Sequence, residues 1–197
     1  DPSKRCPMPP DLTQLAIDLA GACGWSLRPE AAILNLYGVK STMGGHLDDA
    51  EPCQSAPIVS ISLGLEAIYL LGGRTKADPA IAMLLRSGDV VVQGGCSRGF
   101  VHGVPRVLGG TLSQDVRRIG EQERAQGSKK GDLAAVAQWL SDHRLNINVR
   151  QVFEDDHDDR SLRPAEKEDE LEAVVEAEAL HAAGQASILE HVHGSKK

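Results

Sequence analysis

The sequence predicts a mainly β fold of the α+β class, its strands forming a sandwich or barrel behind one N-terminal helix. Three observations point there. Short runs of β-branched and apolar residues recur between residues 32 and 152, glycine-rich turns separate them, and a single amphipathic stripe precedes them.

The stripe comes first. Pro9-Pro10-Asp11 leads into Leu12, Leu15, Ala16, Leu19 and Ala20, the i, i+3, i+4, i+7, i+8 spacing of a helix that buries one face, and Gly21 and Gly24 mark its end. Ala32 to Tyr37 reads as a strand with Ile33, Asn35 and Tyr37 on one face. Gly44-Gly45 turns into His46-Leu47-Asp48, where a two-residue period puts His46 and Asp48 on the same side. Pro57 to Gly64 and Glu66 to Leu71 are two more strands, the second closed by Gly72-Gly73. Pro79 to Arg86 reads as a short helix or an irregular return, Gly88 to Gln93 as a β-branched strand, and Arg98 to Gly103 as a short strand carrying His102. Val107 to Gly131, rich in Gly, Gln, Ser and charge, reads as a long insertion loop, and Asp132 to Leu140 as a helix capped by Asp132. Arg144 to Val152 returns to strict alternation, with Leu145, Ile147 and Val149 on one face and Arg144, Asn146, Asn148 and Arg150 on the other. A polar face of that kind is either a solvent face or a lined pocket; for a single strand the solvent face is commoner. Residues 1–153 are thus read as the folded core and 154–197 as an acidic extension: a charged block over 154–159, then a helix from Pro164 to about Val192 with Leu171, Val174, Val175 and Ala179 on one stripe.

With 197 residues and 41% hydrophobic content, the chain can bury one full core. Only 3% of it is aromatic, which argues against a protein that holds nucleic acid mainly by stacking bases. The formal charge of −7 is unevenly spread. Residues 1–150 carry 16 basic against 15 acidic side chains, and residues 151–197 carry 5 against 13. The core is therefore near neutral, and a polyanionic substrate is compatible with it. The four cysteines form no CxxC pair, which points to reduced thiols, no structural zinc and an intracellular location. No stretch approaches membrane-spanning length and no signal peptide is visible; a start without Met, running straight into Pro-rich sequence, is the pattern expected of a piece of a longer protein.

Chemistry concentrates in three places: His46-Leu47-Asp48, His102, and the strand from Arg144 to Arg150. Two imidazoles and a carboxylate can occupy one face of an octahedral iron and leave the other positions open. Two arginines can hold a small dicarboxylate beside it through charge-assisted hydrogen bonds. Together they suggest a non-haem Fe(II) oxygenase that uses 2-oxoglutarate and O2. Taken alone, a His-x-Asp pair is more often a surface turn.

Seven motifs in order carry a family resemblance: Asn35-Leu-Tyr37, His46-Leu-Asp48, Pro57 to Gly64, Gly88-Asp-Val-Val-Val, Gly94-Gly-Cys-Ser-Arg98, His102-Gly-Val-Pro-Arg106 and Arg144 to Arg150. In this order the sequence resembles the AlkB family of nucleic-acid dioxygenases over roughly residues 7–153. Leu70-Leu-Gly-Gly73, Leu85-Arg-Ser-Gly-Asp89, Val104-Pro-Arg-Val107, Val149-Arg-Gln-Val152 and the long insertion after His102 look most like its eukaryotic homologue-one branch. The resemblance implies a double-stranded β-helix, or jelly roll, flanked by the N-terminal helix and the acidic tail. It implies iron ligands His46, Asp48 and His102. It also implies a 2-oxoglutarate pocket of Asn35, Tyr37, Arg144, Asn146 and Arg150, with Arg144 and the Tyr37 hydroxyl on the distal carboxylate and Arg150 facing the iron-chelating one.

The implied activity is oxidative demethylation of N-methylated adenine in tRNA or DNA, releasing formaldehyde, succinate and CO2. The runners-up are a 2-oxoglutarate-dependent protein hydroxylase or demethylase, and a non-catalytic adaptor using the jelly roll and acidic tail. Two positions depart from the bacterial member: Ala50 stands where an acidic residue contacts the base, and Gln93 where an aromatic helps to sandwich it. The base-gripping lid of the family lies largely upstream of residue 1. Lys76, Gln93 and Arg98 are the candidate substrate contacts; Arg86, Arg106, Arg117, Arg118, Arg124, Lys129 and Lys130 are either further phosphate contacts or ordinary solvated charges. Arg98, just before His102, is alternatively structural.

Overall fold

The computed structural model of the chain describes residues 7–125 and 133–154. The Asp132 cap, Lys129 and Lys130, and the acidic extension beyond Glu154 lie outside those residues. The described elements run α1 (Pro10–Ala22), β1 (Ala31–Gly38), β2 (Met43–His46), β3 (Ile58–Gly64), β4 (Ala67–Leu71), β5 (Ile81–Leu85), β6 (Val90–Gln93), a 3-10 turn (Gly95–Gly99), β7 (His102–Val107), α2 (Gln114–Ala125), α3 (Leu133–Leu140) and β8 (His143–Arg150). The strands form two antiparallel four-stranded sheets, ordered β1-β8-β3-β6 and β2-β7-β4-β5. The chain passes back and forth between them, in the manner of a jelly roll.

Strand β8 is the spine of the first sheet. It pairs along its whole length with β1, where Tyr37 faces Arg144 and Asn35 faces Asn146. On its other side it pairs with β3, where Ser62 faces Asn146 and Ser60 faces Asn148. Because side chains alternate across a sheet, these polar residues share one face, turned toward the second sheet. The opposite face carries Val59, Ile61 and Val149, which pack against Ala16 and Ala20 of α1. Both faces of β8 are therefore covered, and its polar side lines a cleft instead of meeting bulk water.

Helix α1 runs past Gly21, where a glycine costs about 1 kcal/mol relative to Ala. Fully buried Ala16 and Ala20 outweigh that cost, and the helix stops at Gly24, whose φ of 80° lies in the left-handed region. Trp25 then folds beneath the Gly94-Gly95 turn, where a Cβ on Gly94 would come within 2.8 Å of the indole.

The structure corrects four local expectations. Ile81–Leu85 is a strand, neither helix nor irregular return, because pairing with β4 decides a short apolar run whose own periodicity is ambiguous. The expected loop over 107–131 contains helix α2, which starts after Ser113, whose hydroxyl accepts from Val116 N–H at 3.4 Å. Gly120 lies against Ala137 of α3 so closely that a Cβ there would sit 2.7 Å from the alanine methyl. Residues 95–99 form a 3-10 turn, so the strand with His102 begins at that histidine and runs forward to Val107. Finally, β2 ends at His46, and Asp48 lies in the irregular stretch that follows.

The end of β8 is pinned by the segment before β1. Glu30 accepts backbone hydrogen bonds from Val152 (2.7 Å) and Phe153 (2.9 Å), while its own N–H donates to Arg150 O. The hydrogen bond from Phe153 is the leading reason that the Glu30 carboxyl titrates below its ordinary 4.5. A carboxyl that folding makes more acidic stabilises fully above its unfolded pKa, and that contribution is lost as pH falls through the folded value. Glu30→Gln is therefore expected to lower the Tm at pH 7, and the gap from wild type should close as pH drops below 4.5 in thermal unfolding followed by circular dichroism.

Candidate active site

Between the sheets lies an open cleft lined on one side by Tyr37, Arg144 and Asn146 and on the other by His46, Asp48 and His102. His46 closes β2 and is directly opposite His102, the first residue of β7, so strand pairing alone brings the imidazoles together; their centroids are 4.5 Å apart. Asp48 folds back over them, with Oδ1 3.9 Å from His46 Nε2 and Oδ2 3.6 Å from His102 Nε2. One ligand atom from each residue lies within 4.8 Å of the others, the one such cluster of three or more among the described residues.

The tautomers suit a cation. His46 Nδ1 lies 3.0 Å from Gly44 O and His102 Nδ1 3.2 Å from Phe100 O. A carbonyl only accepts, so each Nδ1 carries the proton and each Nε2 lone pair faces the cluster. Burial is the main cause that lowers the His102 pKa and keeps the ring neutral. Tyr69 stacks beside His102 at 5.8 Å, and burial followed by the Asp48 charge pushes its phenol pKa upward, so it remains a neutral donor.

Arg144 is 1% exposed. Its Nη2 donates to Ser62 Oγ at 2.9 Å, but its buried Nε and Nη1 meet no protein acceptor. Burial lowers its pKa, yet a guanidinium keeps its charge in a protein. A buried cation with unspent donors suits an anion that enters the cleft. Tyr37 stands opposite Arg144 across the β1–β8 ladder, its hydroxyl near only the weak acceptor Met43 Sδ at 3.5 Å. Asn146 binds Asn35, Ser60 Oγ and Ile61 O, which fixes its orientation. The donor set of two imidazoles and a carboxylate fits iron, and the unspent Arg144 N–H groups fit a carboxylate of 2-oxoglutarate.

The candidate residues separate into distinct places. His46, Asp48, His102, Asn35, Tyr37, Arg144 and Asn146 all border the cleft. Arg150 stands behind Asp48, with Nη2 3.1 Å from Asp48 Oδ2 and Nη1 bound to Glu51. Gln93 borders the cleft but accepts from Tyr69 Oη and donates to the carbonyls of Ser97 and Phe100, so its amide holds the wall. Arg98, a candidate substrate contact, is 3% exposed and donates to Asp48 O and to Glu51. Lys76 is exposed on the β4–β5 connection, outside the cleft lining. Ser60, Ser62 and Glu51 went unread in the sequence. The alternation Val59-Ser60-Ile61-Ser62 did signal the serines; nothing local signals Glu51.

Comparison with known proteins gives a consistent picture. The model of the "2OG-Fe(II) oxygenase superfamily" matches residues 1–150. The DNA N(6)-methyladenine demethylase ALKBH1A of Arabidopsis thaliana is 46% identical over 149 residues, covering 74% of this chain and 42% of that protein. The nucleic acid dioxygenase ALKBH1 of Homo sapiens is 36% identical over 172 residues, covering 82% of this chain and 44% of that protein. A solved structure titled "The structure of OsALKBH1" superposes with a TM-score of 0.59 at 27% identity, covering 73% of this chain and 64% of that one. The chain thus spans less than half the length of these two curated relatives.

The two walls of the cleft should be separable by mutation. Asp48→Ala is expected to abolish Mn(II) binding in an electron paramagnetic resonance titration. Arg144→Met should keep Mn(II) binding and weaken 2-oxoglutarate binding about 10- to 100-fold by isothermal titration calorimetry, the effect of losing one to two charge-assisted hydrogen bonds.

Proposed function

Because the chain belongs to the 2OG-Fe(II) oxygenase superfamily, in its AlkB family, we propose that it is an oxidative demethylase of nucleic acid. Its substrate is N-methylated adenine in tRNA or DNA, residues 1–153 are the catalytic unit, and residues 154–197 are an appended acidic segment. The observation that carries this reading is the pairing, across one cleft, of the His46-Asp48-His102 cluster with a buried Arg144 whose Nε and Nη1 are unspent.

His46 and His102 offer Nε2 and Asp48 offers a carboxylate oxygen to Fe(II). Arg144 and the Tyr37 hydroxyl hold the distal carboxylate of 2-oxoglutarate, and Arg150, with both terminal nitrogens committed, keeps Nε for the other one. When bound, the iron and its cosubstrate supply the oxidation, using O2 to turn 2-oxoglutarate into succinate and CO2 and to hydroxylate the N-methyl group, which then leaves as formaldehyde. Burial of the Arg144 side of the cleft keeps water from competing for the carboxylate. Entry is past His46, whose side chain is 37% exposed at the rim. A base inside a duplex has to swing out of the stack to reach it. Lys76 and Arg106 are exposed and suit the phosphates of the flanking strand. Arg86, by contrast, lies 3.6 Å from Glu66, and Arg118 3.4 Å from Asp115.

With iron, ascorbate and 2-oxoglutarate, an oligonucleotide carrying N-methylated adenine is expected to yield formaldehyde, and His46→Ala should reduce release to background; an active His46→Ala would sink the metal assignment. Succinate formation compared with nucleic acid, with peptide and with neither separates this activity from a protein hydroxylase and from an adaptor. Lys76→Gln is expected to reduce the slope of log affinity against log salt by about one if Lys76 meets a phosphate.

A further inference from the structure

Glu51 lies three residues beyond Asp48, and its side chain is 9% exposed. Its Oε2 is 3.3 Å from Arg98 Nη2, and its Oε1 accepts from Arg150 Nη1. The same two guanidiniums also hold Asp48: Arg98 Nη1 donates to the Asp48 backbone carbonyl, and Arg150 Nη2 reaches Asp48 Oδ2 at 3.1 Å. Asp48, Arg98, Glu51 and Arg150 therefore close a ring.

We propose that Glu51 is a positioning residue for the metal-binding carboxylate: by engaging Arg98 and Arg150 it fixes how Asp48 is presented, and so sets the affinity of the cluster for a divalent cation. The inference deepens the metal reading of the site and rests on it. Two physical effects support it. The first is directional. A free guanidinium tends to grip a carboxylate with two parallel N–H groups, which would engage both Asp48 oxygens. With Nη1 engaged by Glu51, Arg150 places one donor on Oδ2 and leaves Oδ1, the oxygen facing His46 Nε2, for the ion. Fixing the second oxygen of a ligating carboxylate in this way is worth a large factor in affinity. The second effect is charge. Two guanidiniums and two carboxylates sum to zero, and all four side chains are at most 15% exposed. Without Glu51, the ring carries a net positive charge beside a site that must accept a dication, in surroundings where screening is weak.

The test is Mn(II) affinity of the whole chain by electron paramagnetic resonance titration, with circular dichroism to verify folding. Glu51→Gln is expected to weaken binding about 10- to 100-fold. Because the directional effect of Glu51 runs through Arg150, Glu51→Gln should cost several-fold less in the Arg150→Gln background than in wild type, the remaining cost being that of its charge; a purely structural Glu51 would cost the same in both backgrounds. If Glu51→Gln fails to fold, Glu51→Gln with Arg98→Gln removes one charge of each sign, and it should bind Mn(II) about tenfold or more weakly than Arg98→Gln alone. Wild-type affinity in Glu51→Gln, equal loss in both backgrounds, or no loss in the neutral pair overturns the proposal. Undiminished Mn(II) binding by Asp48→Ala would instead show that the metal assignment had failed.

Discussion

Burial of guanidinium charge inside a β-sandwich is the constraint around which this molecule is arranged. Arg144 and Arg150 sit on the inward face of a central strand, 1% and 4% exposed, where an unpaired cation would cost several kcal/mol. Each has its own answer. Arg150 is neutralised internally by Asp48 and Glu51, and Arg98 joins the same ring. Arg144 donates to one hydroxyl, that of Ser62, and its Nε and Nη1 meet no protein acceptor. Arg150 thus stands with the Asp48 side of the cleft, while Arg144 leaves its Nε and Nη1 without a protein acceptor. The polar residues between them, Asn146 tied to Ser60 and Asn35, keep the intervening floor in a fixed orientation.

Much of this was legible in the sequence, and the rest was hidden for identifiable reasons. Strict alternation from Arg144 to Arg150 revealed a strand with a polar face, but periodicity cannot say whether such a face meets water or another sheet. Seven ordered motifs resolved that ambiguity. The partners of Glu51 lie 47 and 99 residues away, so no local pattern reports its burial. Helix α2 was unreadable for another reason: its contact with α3 is made by Gly120 against Ala137, and a contacting glycine looks like a helix breaker. Strand β5 is uniformly apolar, a composition that suits either regular structure, and only its ladder with β4 decides. The burial of Arg98 was likewise hidden, because its partners Asp48 and Glu51 lie 50 and 47 residues away.

The cleft draws its two chemistries from different sheets. The His46-Asp48-His102 cluster comes from β2, β7 and the stretch after β2, while the facing wall with Tyr37, Arg144 and Asn146 comes from β1, β3 and β8. The Arg150 contacts with Asp48 and Glu51 join the two sets directly, which makes that ring a mechanical link across the site as well as its charge balance. Outside the sandwich, α1 buries the back of the first sheet, so the strand that carries the arginines is backed by a dry layer of Val59, Ile61 and Val149.

The central place of β8 also governs the order in which the chain can assemble. Its neighbours β1 and β3 end at residues 38 and 64, yet they do not pair with each other; residues 143–150 have to slot between them. During synthesis at about 5–20 residues per second, those two strands wait some seconds for their shared partner. Loops of this length are slow to close, and open strand edges are sticky in the meantime. His46, Asp48 and His102 are all made before Arg144 and Arg150, so the cleft is complete only when the last strand is in place.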